Sequence, residues 1–388
     1  MSEEEIKVDI NSGFIAPPTI KGNPKQWFGG GVVSIPYFVR KEGGDWEEIT
    51  ITTEQQNFKV FDSMACVSNS LSNSNDKQIE YLRHKEIYIT AELSNWLATK
   101  GIILPNGIYT IDEEKIKPWI DENGKFNSSN RFLAKSSKTS TAGNTPMNVG
   151  DALLDFGLPP ESVWSIKEFI NNGFNWTEFY KEPSNDVKEW GKRFKELFYT
   201  PYERLPDSKQ STIDKYLKRA PLWWATATCS GWNTSDIVKT CSASPNHMTL
   251  GQGLKQSEYL KDYDSYDPFN KKLAWDYKIY YPYQMVVFPK LEVLKKKEGE
   301  EPTMKIELNV VKKKGTPDFL YEDNMRKGVW HRYGDPDTYK SQCGEFPQTP
   351  DELDIANESI ESPIYLAPSI WKVLALALGD FFSKLRGK

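Results

Sequence analysis

The chain is short of the features that mark several common classes of protein. It has only four cysteines and no CxxC pair, so a zinc site of common spacing is not expected. No run of about 18 apolar residues appears, and the acidic start MSEEEIKVDI has no apolar segment of the kind that directs secretion. The sequence therefore predicts synthesis in the cytoplasm without a signal peptide, no metal site and no membrane-spanning helix.

Two further absences concern nucleic acids and nucleotides. Lys and Arg number 49 against 54 Asp and Glu, and no basic stripe is interleaved with aromatic residues, so a nucleic-acid partner is not expected. Gly29-Gly30-Gly31 lacks the Lys and Ser/Thr of a phosphate loop, and Gly251 and Gly253 lack the rest of a dinucleotide fingerprint. No cofactor is predicted.

Cys229 and Cys241 lie on either side of a turn signal at Gly231 to Asn233. They could pair across a hairpin in an oxidising place. Inside a cell, however, thiols are normally kept reduced, so the expectation for this chain is two free thiols.

The overall amino-acid composition favours a packed fold. The 388 residues are 38% hydrophobic, 27% charged and 13% aromatic, which is far from a disordered composition. That length allows one large core of roughly 200–250 residues plus a smaller module. Within the core, helical patterns come first and strand patterns follow after Pro221, an order that predicts an α+β fold.

The chain can be divided further by its Gly, Pro and charge pattern. Residues 1–50 read as an extended N-terminal arm and residues 51–289 as the core. Helices are predicted from Cys66, over Ile87–Lys100, over Met147–Phe156 and over 184–199 and 207–219, with a surface loop at Asn127–Thr145. Strands are predicted at Leu222–Thr228, His247–Leu254, Ser257–Asp264 and Tyr277–Phe288.

Beyond the core, alternating residues predict a small β appendage over 290–345, followed by a Pro-, Glu- and Asp-rich linker at 346–362. Residues 363–388 are predicted to form an amphipathic helix with a basic end, which would contact a protein partner, another copy of the chain or a membrane surface. Docking on its own domain is the other interpretation. The apolar stripe consists of Ile370, Trp371, Leu374, Leu378 and Phe381.

Cys66 is the strongest candidate for a nucleophile. A thiol reacts as thiolate, which a helix N-terminus and a neighbouring imidazolium both favour. Cys66 opens a predicted helix just after Asp62 and Ser63, either of which could cap it. A lone cysteine at a helix start is most often only a packed thiol, so a nucleophilic role for Cys66 requires partner residues.

The chain has only three histidines that could act as the base. His84 lies on the same predicted helix as Cys66, and His331 lies in the appendage. His247 starts a strand, which suits a base of fixed geometry. A third group must fix the imidazole tautomer, and Asp264 lies at the end of the next strand, with Asp262 and Asp267 as close alternatives.

These three segments resemble papain-like cysteine peptidases. Cys66 is followed four residues later by Ser70, as in the family motif in which the nucleophile opens a long helix. Asn246-His247-Met248 is similar to the family's histidine strand, and Asp264-Ser265-Tyr266 is similar to its Asn-Ser-Trp. The resemblance extends over roughly residues 50–288. The chain also resembles papain-like proteins encoded by bacteriophages, which share the Asp-x-x-x-Cys-Val-Ser start.

The resemblance implies a papain-like α+β fold with N-terminal helices packed on a C-terminal antiparallel sheet. It implies hydrolysis of a peptide or isopeptide bond in a peptide or protein substrate, through a Cys66–His247–Asp264 triad and a thioester acyl-enzyme. The family's oxyanion glutamine lies six residues before the cysteine, where this chain has Val60. Gln56 is the candidate to supply that amide after a short insertion.

Two alternatives remain open at this point. A fold of this kind can keep its scaffold and lose its chemistry, which would leave a structural or binding protein such as a bacteriophage virion component. The related Cys-His fold of murein-directed amidases is the other alternative.

Overall fold

The computed structural model describes residues 13–16, 35–58, 61–166 and 176–297, and four short strands between 310 and 346. The chain divides into two compact units, Met1–Gly299 and Glu300–Lys388. The predicted α+β class is confirmed, because helices dominate the first half of the first unit and an antiparallel sheet dominates its second half. Among the described residues, no helix has both the length and the apolarity needed to cross a membrane.

The first unit contains helices and strands in alternating blocks. Its α-helices are α1 (Cys66–Arg83), α2 (Ala91–Ala98), α3 (Glu113–Ile116), α4 (Asn130–Ser136), α5 (Pro146–Phe156), α6 (Trp176–Phe179), α7 (Asn185–Leu197) and α8 (Gln210–Leu217). Its strands are β1 (Asn57–Phe58), β2 (Phe61–Asp62), β3 (Ile87–Ile89), β4 (Gly107–Ile111), β5 (Phe198–Tyr199), β6 (Tyr202–Arg204), β7 (Leu222–Thr226), β8 (His247–Lys255), β9 (Tyr259–Tyr263), β10 (Asn270–Ala274), β11 (Tyr280–Met285), β12 (Phe288–Pro289) and β13 (Leu294–Lys296).

The main sheet has six antiparallel strands in the order β10-β9-β8-β7-β11-β6. All five residues of β7 are buried, so both faces of the sheet are covered there. Because side chains alternate along a strand, Trp223 packs into the apolar cluster on one face and Trp224 into the cluster on the other. The sheet is therefore the middle layer of the unit.

Helix α1 forms the layer on the Trp223 face, and α8 forms the layer on the Trp224 face. Val67, Leu71 and Ile79 of α1 lie in the same cluster as Met248 of β8. Burial of such side chains contributes about 1.5–3 kcal/mol each before ordering costs are deducted. This packing fixes the start of α1 against the start of β8.

Helix α1 is buried along almost its whole length, polar residues included. Its polar side chains bond to the neighbouring layers. The Gln78 amide donates to the Met285 carbonyl (3.0 Å) and accepts from the Val287 N–H (3.0 Å). The Asp76 carboxyl accepts from Ser128, and burial raises its pKa to about 7. A buried polar group with partners fixes orientation more strictly than an apolar contact does.

Two predicted elements differ from the structure. Ile87–Lys100 is not one helix: β3 comes first, and Thr90 then caps α2 by accepting from the Leu93 N–H at 3.2 Å. Asn127–Thr145 is not a surface loop, because α4 lies inside it and Ser129 caps that helix. Arg131 of α4 is buried, and its guanidinium donates to the Phe179 carbonyl at 2.8 Å. Such long-range partners cannot be read from a local Ser- and Asn-rich pattern.

The predicted appendage boundary at residue 290 differs from the division in the structure. β13 pairs with β4, and β4 pairs with β3, so residues 294–296 belong to the first unit. The second unit holds a four-stranded antiparallel sheet of β14 (Val310–Lys312), β15 (Phe319–Glu322), β16 (Trp330–Tyr333) and β17 (Glu345–Phe346). The linker and the C-terminal helix predicted over 346–388 lie, apart from Phe346, outside the described residues.

Candidate active site

Cys66 is the first residue of α1, as the sequence predicts. The residue before it, Ala65, occupies the cap position, and no side chain caps the helix. The expectation that Asp62 or Ser63 caps α1 is wrong, because Asp62 accepts from the Met64 N–H (2.7 Å) and the Ser63 hydroxyl donates to the Gln56 carbonyl (3.2 Å). The first turn also contains no acidic residue, so the positive end of the helix dipole acts on the thiol.

His247 is the first residue of β8 and is fully buried. Its imidazole is hydrogen-bonded to the Cys66 side chain. Ser70, one turn into α1, has its hydroxyl 2.7 Å from the Cys66 carbonyl and 2.8 Å from the Met248 carbonyl. The hydroxyl therefore links the start of the helix to the start of the strand, where the two groups meet.

Asp264 follows β9 directly and completes the constellation. Its Oδ1 lies 2.6 Å from Nε2 of His247, and both side chains are fully buried. Asp262 instead accepts from Trp224 and Thr249, and Asp267 is exposed. Since Nε2 is held by Asp264, Nδ1 is the ring nitrogen that remains for the thiol. The structure therefore brings Cys66, His247 and Asp264 together, in that order.

Electrostatics favour a charged imidazole. Burial alone lowers the pKa of His247, but the charge of Asp264 and the hydrogen bonds to Asp264 and Cys66 outweigh it and raise that pKa well above its usual value. Burial raises the pKa of Asp264, but the charge and hydrogen bond of His247 and the charge of Lys271 outweigh it and lower that pKa. Both shifts favour the carboxylate–imidazolium form of the pair.

Further donors surround the Asp264 carboxylate. The Ser265 N–H donates to Oδ1 at 2.6 Å, the Trp232 indole donates to Oδ2 at 2.7 Å, and Lys271 Nζ lies 3.4 Å from Oδ2. The sequence prediction missed both Trp232 and Lys271. The only local signal was the position of Trp232 between two cysteines.

Asp262 lies beside this group but belongs to a separate network. It is fully buried, and burial together with the charge of Asp264 raises its pKa well above its usual value. Its Oδ1 accepts from the Trp224 indole (2.9 Å) and the Thr249 hydroxyl (2.8 Å). A protonated Asp262 adds no second negative charge next to Asp264.

Gln56 lies close to the site, but its amide is directed elsewhere. Its Nε2 donates to Asp62 Oδ1 (2.9 Å) and to the Tyr266 hydroxyl (2.9 Å), and its Oε1 accepts from Ser265 (2.9 Å). Both amide hydrogens therefore have partners within the protein, and the oxyanion role of Gln56 stays a prediction. Gln56 connects the segment before α1 to the Asp264–Tyr266 turn, whose Tyr266 ring packs against His247 with centroids 5.1 Å apart.

Cys229 and Cys241 form a disulfide, which corrects the expectation of two free thiols. The bridge closes the loop between β7 and β8 that carries Trp232. Cys66 is a free, buried thiol.

A short N-terminal segment, Gly13–Ala16, lies next to the candidate site. The Phe14 N–H donates to the carbonyl of Asn246, the residue before His247 (3.4 Å). Ile15 and Gly13 bond to the two backbone groups of Asn144 at 2.8 and 2.9 Å, as in a parallel β-bridge. A Cβ on Gly13 would lie 2.3 Å from the carbonyl oxygen of Met64, two residues before Cys66. The segment thus lies beside the residues that precede Cys66 and His247, both of which are fully buried.

No family model and no curated protein sequence matches the chain. Solved structures do match it. Xylellain, a cysteine protease from Xylella fastidiosa, is 14% identical with a TM-score of 0.38, over 65% of this chain and 90% of that chain. The bromelain protease from Ananas comosus is 13% identical with a TM-score of 0.37, over 64% of this chain and 97% of that chain.

Digestive procathepsin L 3 of Tenebrio molitor is 12% identical with a TM-score of 0.38, over 67% of this chain and 74% of that chain. Likenesses of this size do not decide the chemistry of this chain. That chemistry depends on the side-chain geometry given above.

Proposed function

We infer that the chain is a papain-like cysteine peptidase that hydrolyses peptide or isopeptide bonds with Cys66, His247 and Asp264. The observation that carries this function is the buried 2.6 Å contact between Asp264 and an imidazole that is itself bonded to a thiol at a helix start. A nucleophile, a base and a group that orients the base are the minimum set for acyl transfer through a covalent intermediate.

The reaction would proceed through an acyl-enzyme. The Cys66 sulfur attacks the carbonyl carbon, and the backbone N–H of Cys66 stabilises the oxyanion at the positive end of α1. The C–N bond breaks as His247 donates its proton to the leaving amine, which leaves a thioester. His247 then takes a proton from water as the water oxygen attacks the thioester carbon. The C–S bond breaks, the acid product leaves, and the thiolate–imidazolium pair is restored.

The test uses a tryptic digest of an unrelated proteome as a substrate library. Wild-type protein should create new peptide ends that mass spectrometry detects, and Cys66→Ala should create none. Removing the nucleophile of a triad typically costs a factor of roughly 10⁶ in rate. Cleavage that persists in Cys66→Ala would exclude this mechanism.

A second candidate is a catalytically silent papain-like protein with a structural or binding role, such as a bacteriophage virion component. The complete burial of Cys66 and His247 favours it, because a substrate carbonyl cannot reach a buried sulfur without a rearrangement. The absence of any new peptide end, with or without residues 1–16, would favour this candidate over the peptidase.

A further inference from the structure

The loop between β7 and β8 brings one large side chain, Trp232, to the candidate site. Trp232 is 2% exposed although it lies in a loop. The Cys229–Cys241 disulfide closes this loop. Within it, the backbone N–H of Trp232 donates to the Cys229 carbonyl at 3.0 Å. Gly231 adopts φ +87°, a conformation that glycine tolerates at a tight turn.

Trp232 touches both members of the His247–Asp264 pair through different parts of its ring. Its Nε1–H donates to Asp264 Oδ2 at 2.7 Å. The indole also packs edge-on against His247, with centroids 6.0 Å apart and planes at 87°. A side chain that only filled space would need neither the hydrogen bond nor the perpendicular packing.

The two carboxylate oxygens of Asp264 have different partners. Oδ1 contacts His247 and the Ser265 N–H, while Oδ2 contacts Trp232 and Lys271. Without a directional donor on Oδ2, rotation of the carboxylate about its Cβ–Cγ bond would move Oδ1 away from the imidazole. Lys271 is a point charge and fixes the plane less strictly than an indole N–H does.

Lys271 supports Trp232 as well as Asp264. Its ammonium lies 5.8 Å from the Trp232 ring centroid and donates to Oδ1 of Asn233, the next residue of the loop, at 3.1 Å. On the other side, the Tyr277 hydroxyl donates to the Ala227 carbonyl at the start of the loop (2.7 Å). The loop is thus held from β10, from the chain after it and by its own disulfide.

We propose that Trp232 is a positioning residue for the reaction inferred above, held in place by the disulfide-closed loop. Its indole N–H fixes the plane of the Asp264 carboxylate, and its ring fixes the plane of the His247 imidazole. The inference rests on the proposed function for its consequence in catalysis, but the positioning itself is measurable without a substrate.

The charged and titratable groups that act on His247 come from α1, β9, the turn after β9, and β10. Cys66 belongs to α1, Asp264 and Tyr266 belong to the turn after β9, and Lys271 of β10 acts through Asp264. Asp262 of β9 adds a carboxyl beside Asp264. None of these side chains is itself replaced in Trp232→Phe, so a shift in the titration of His247 reports the loss of the Trp232 contacts to the pair.

The decisive variant is Trp232→Phe, which keeps an aromatic ring and removes the N–H. Trp275→Phe is the matched control, because Trp275 packs in the same apolar cluster and is not among the partners of Asp264 within the described residues. The histidine ring protons of the full chain are followed by NMR against pH. In Trp232→Phe the His247 titration midpoint should fall, since its carboxylate partner is less well aligned, and in Trp275→Phe it should not move.

Kinetics on the peptide library provide the second readout. Trp232→Phe should lower kcat roughly ten- to hundredfold with little change in KM, as expected for a small misplacement of the reacting groups. The double variant Cys229→Ser/Cys241→Ser should also lower kcat. Adding Trp232→Phe to it should lower kcat little further, because both changes disturb the same loop.

The outcomes separate the two proposals. An unchanged or raised His247 midpoint in a folded Trp232→Phe protein overturns the positioning role, whatever the activity. A lowered midpoint in a protein that cleaves no peptide supports the positioning role and counts against the peptidase.

Discussion

At the scale of single residues, the reactivity of Cys66 is the first quantity to measure. After deletion of residues 1–16, iodoacetamide should alkylate Cys66 at pH 6 far faster than it alkylates a free cysteine peptide, because an imidazolium faces the sulfur. Replacing His247 by Asn should bring the rate down to that of the peptide. Mass spectrometry of the modified tryptic peptide gives the rate, and equal rates with and without His247 would contradict the ion pair.

The buried pair also predicts a pH-dependent stability difference between wild type and Asp264→Asn. The Asp264 pKa is below its ordinary value of 3.8, so its contribution is complete above about that pH and is lost as pH falls through the native value. The His247 pKa is above its ordinary value of 6.5, so its contribution is complete below that pH and is lost as pH rises through the native value. The window of full contribution therefore lies between about pH 4 and 6.5.

Urea unfolding of the two proteins at pH 5.5 and pH 9 measures this difference. Removing one partner of a buried pair typically costs about 3–5 kcal/mol, which is the size expected at pH 5.5. The difference should be smaller at pH 9. A difference that stays constant or grows with pH would show that the imidazole is neutral in the native protein.

Rare residue types made part of the site predictable from the sequence. With three histidines and four cysteines, the order along the chain and the strand and helix starts left few combinations to consider. Trp232 and Lys271 were not predictable, because they reach Asp264 only through the pairing of β8, β9 and β10 and the closure of a loop. The oxyanion role predicted for Gln56 follows from the family resemblance and from its place before Cys66, whereas its amide bonds to Tyr266, which is 210 residues away.

At the scale of secondary structure elements, the pairing of β8 with its neighbours depends on a close contact at Gly251. A Cβ at Gly251 would lie 2.2 Å from the Trp224 ring, which donates to Asp262 at 2.9 Å. We expect Gly251→Ala to displace the indole and to destabilise the protein by about 1–3 kcal/mol. Urea unfolding gives the value.

Gly253, two residues further along β8, provides the control. A Cβ there would meet side-chain atoms of Asp45 and Lys261 at 3.0 and 3.1 Å, which can move. Gly253→Ala should therefore cost little. Equal effects at both positions would mean that loss of backbone freedom, and not the contact with Trp224, sets the cost.

We expect displacement of the N-terminal segment Gly13–Ala16 to make the Cys66 thiol more accessible. Gly13 has φ +93°, and an added Cβ would overlap the Met64 carbonyl, so Gly13→Ala should displace the segment. Alkylation of Cys66 should then be faster than in wild type. Gly43→Ala is the control, because a Cβ there meets nothing within 4 Å. Unchanged alkylation in Gly13→Ala would show that the segment does not limit access.

Strong local patterns made most elements of the sheet predictable. The strands predicted from Leu222, His247 and Ser257 agree with β7, β8 and β9 to within a few residues. The helix α4 was missed because its composition is that of a loop. What stabilises α4 is the burial of Arg131 against residues around 165 and 179, which a local pattern does not contain.

For the chain as a whole, two truncations test where the first unit ends: one after Gly299 and one after Pro289. Val293 is fully buried and Leu294 is 9% exposed, and β13 pairs with β4 over residues 109–111. A chain ending at Gly299 keeps these contacts and should unfold cooperatively. A chain ending at Pro289 loses them, at a cost of roughly 1.5–3 kcal/mol for each of the two side chains. It also leaves β4 as an unpaired edge, which promotes association.

Urea unfolding and sedimentation of both truncated proteins separate the cases. The longer protein should match the transition midpoint of the first unit in the full chain and remain monomeric at low concentration. The shorter protein should have a lower midpoint and a tendency to associate. If the longer protein does not fold, residues 300–388 are required by the first unit. If the two proteins are equally stable, β13 contributes little, and the first unit effectively ends at β12.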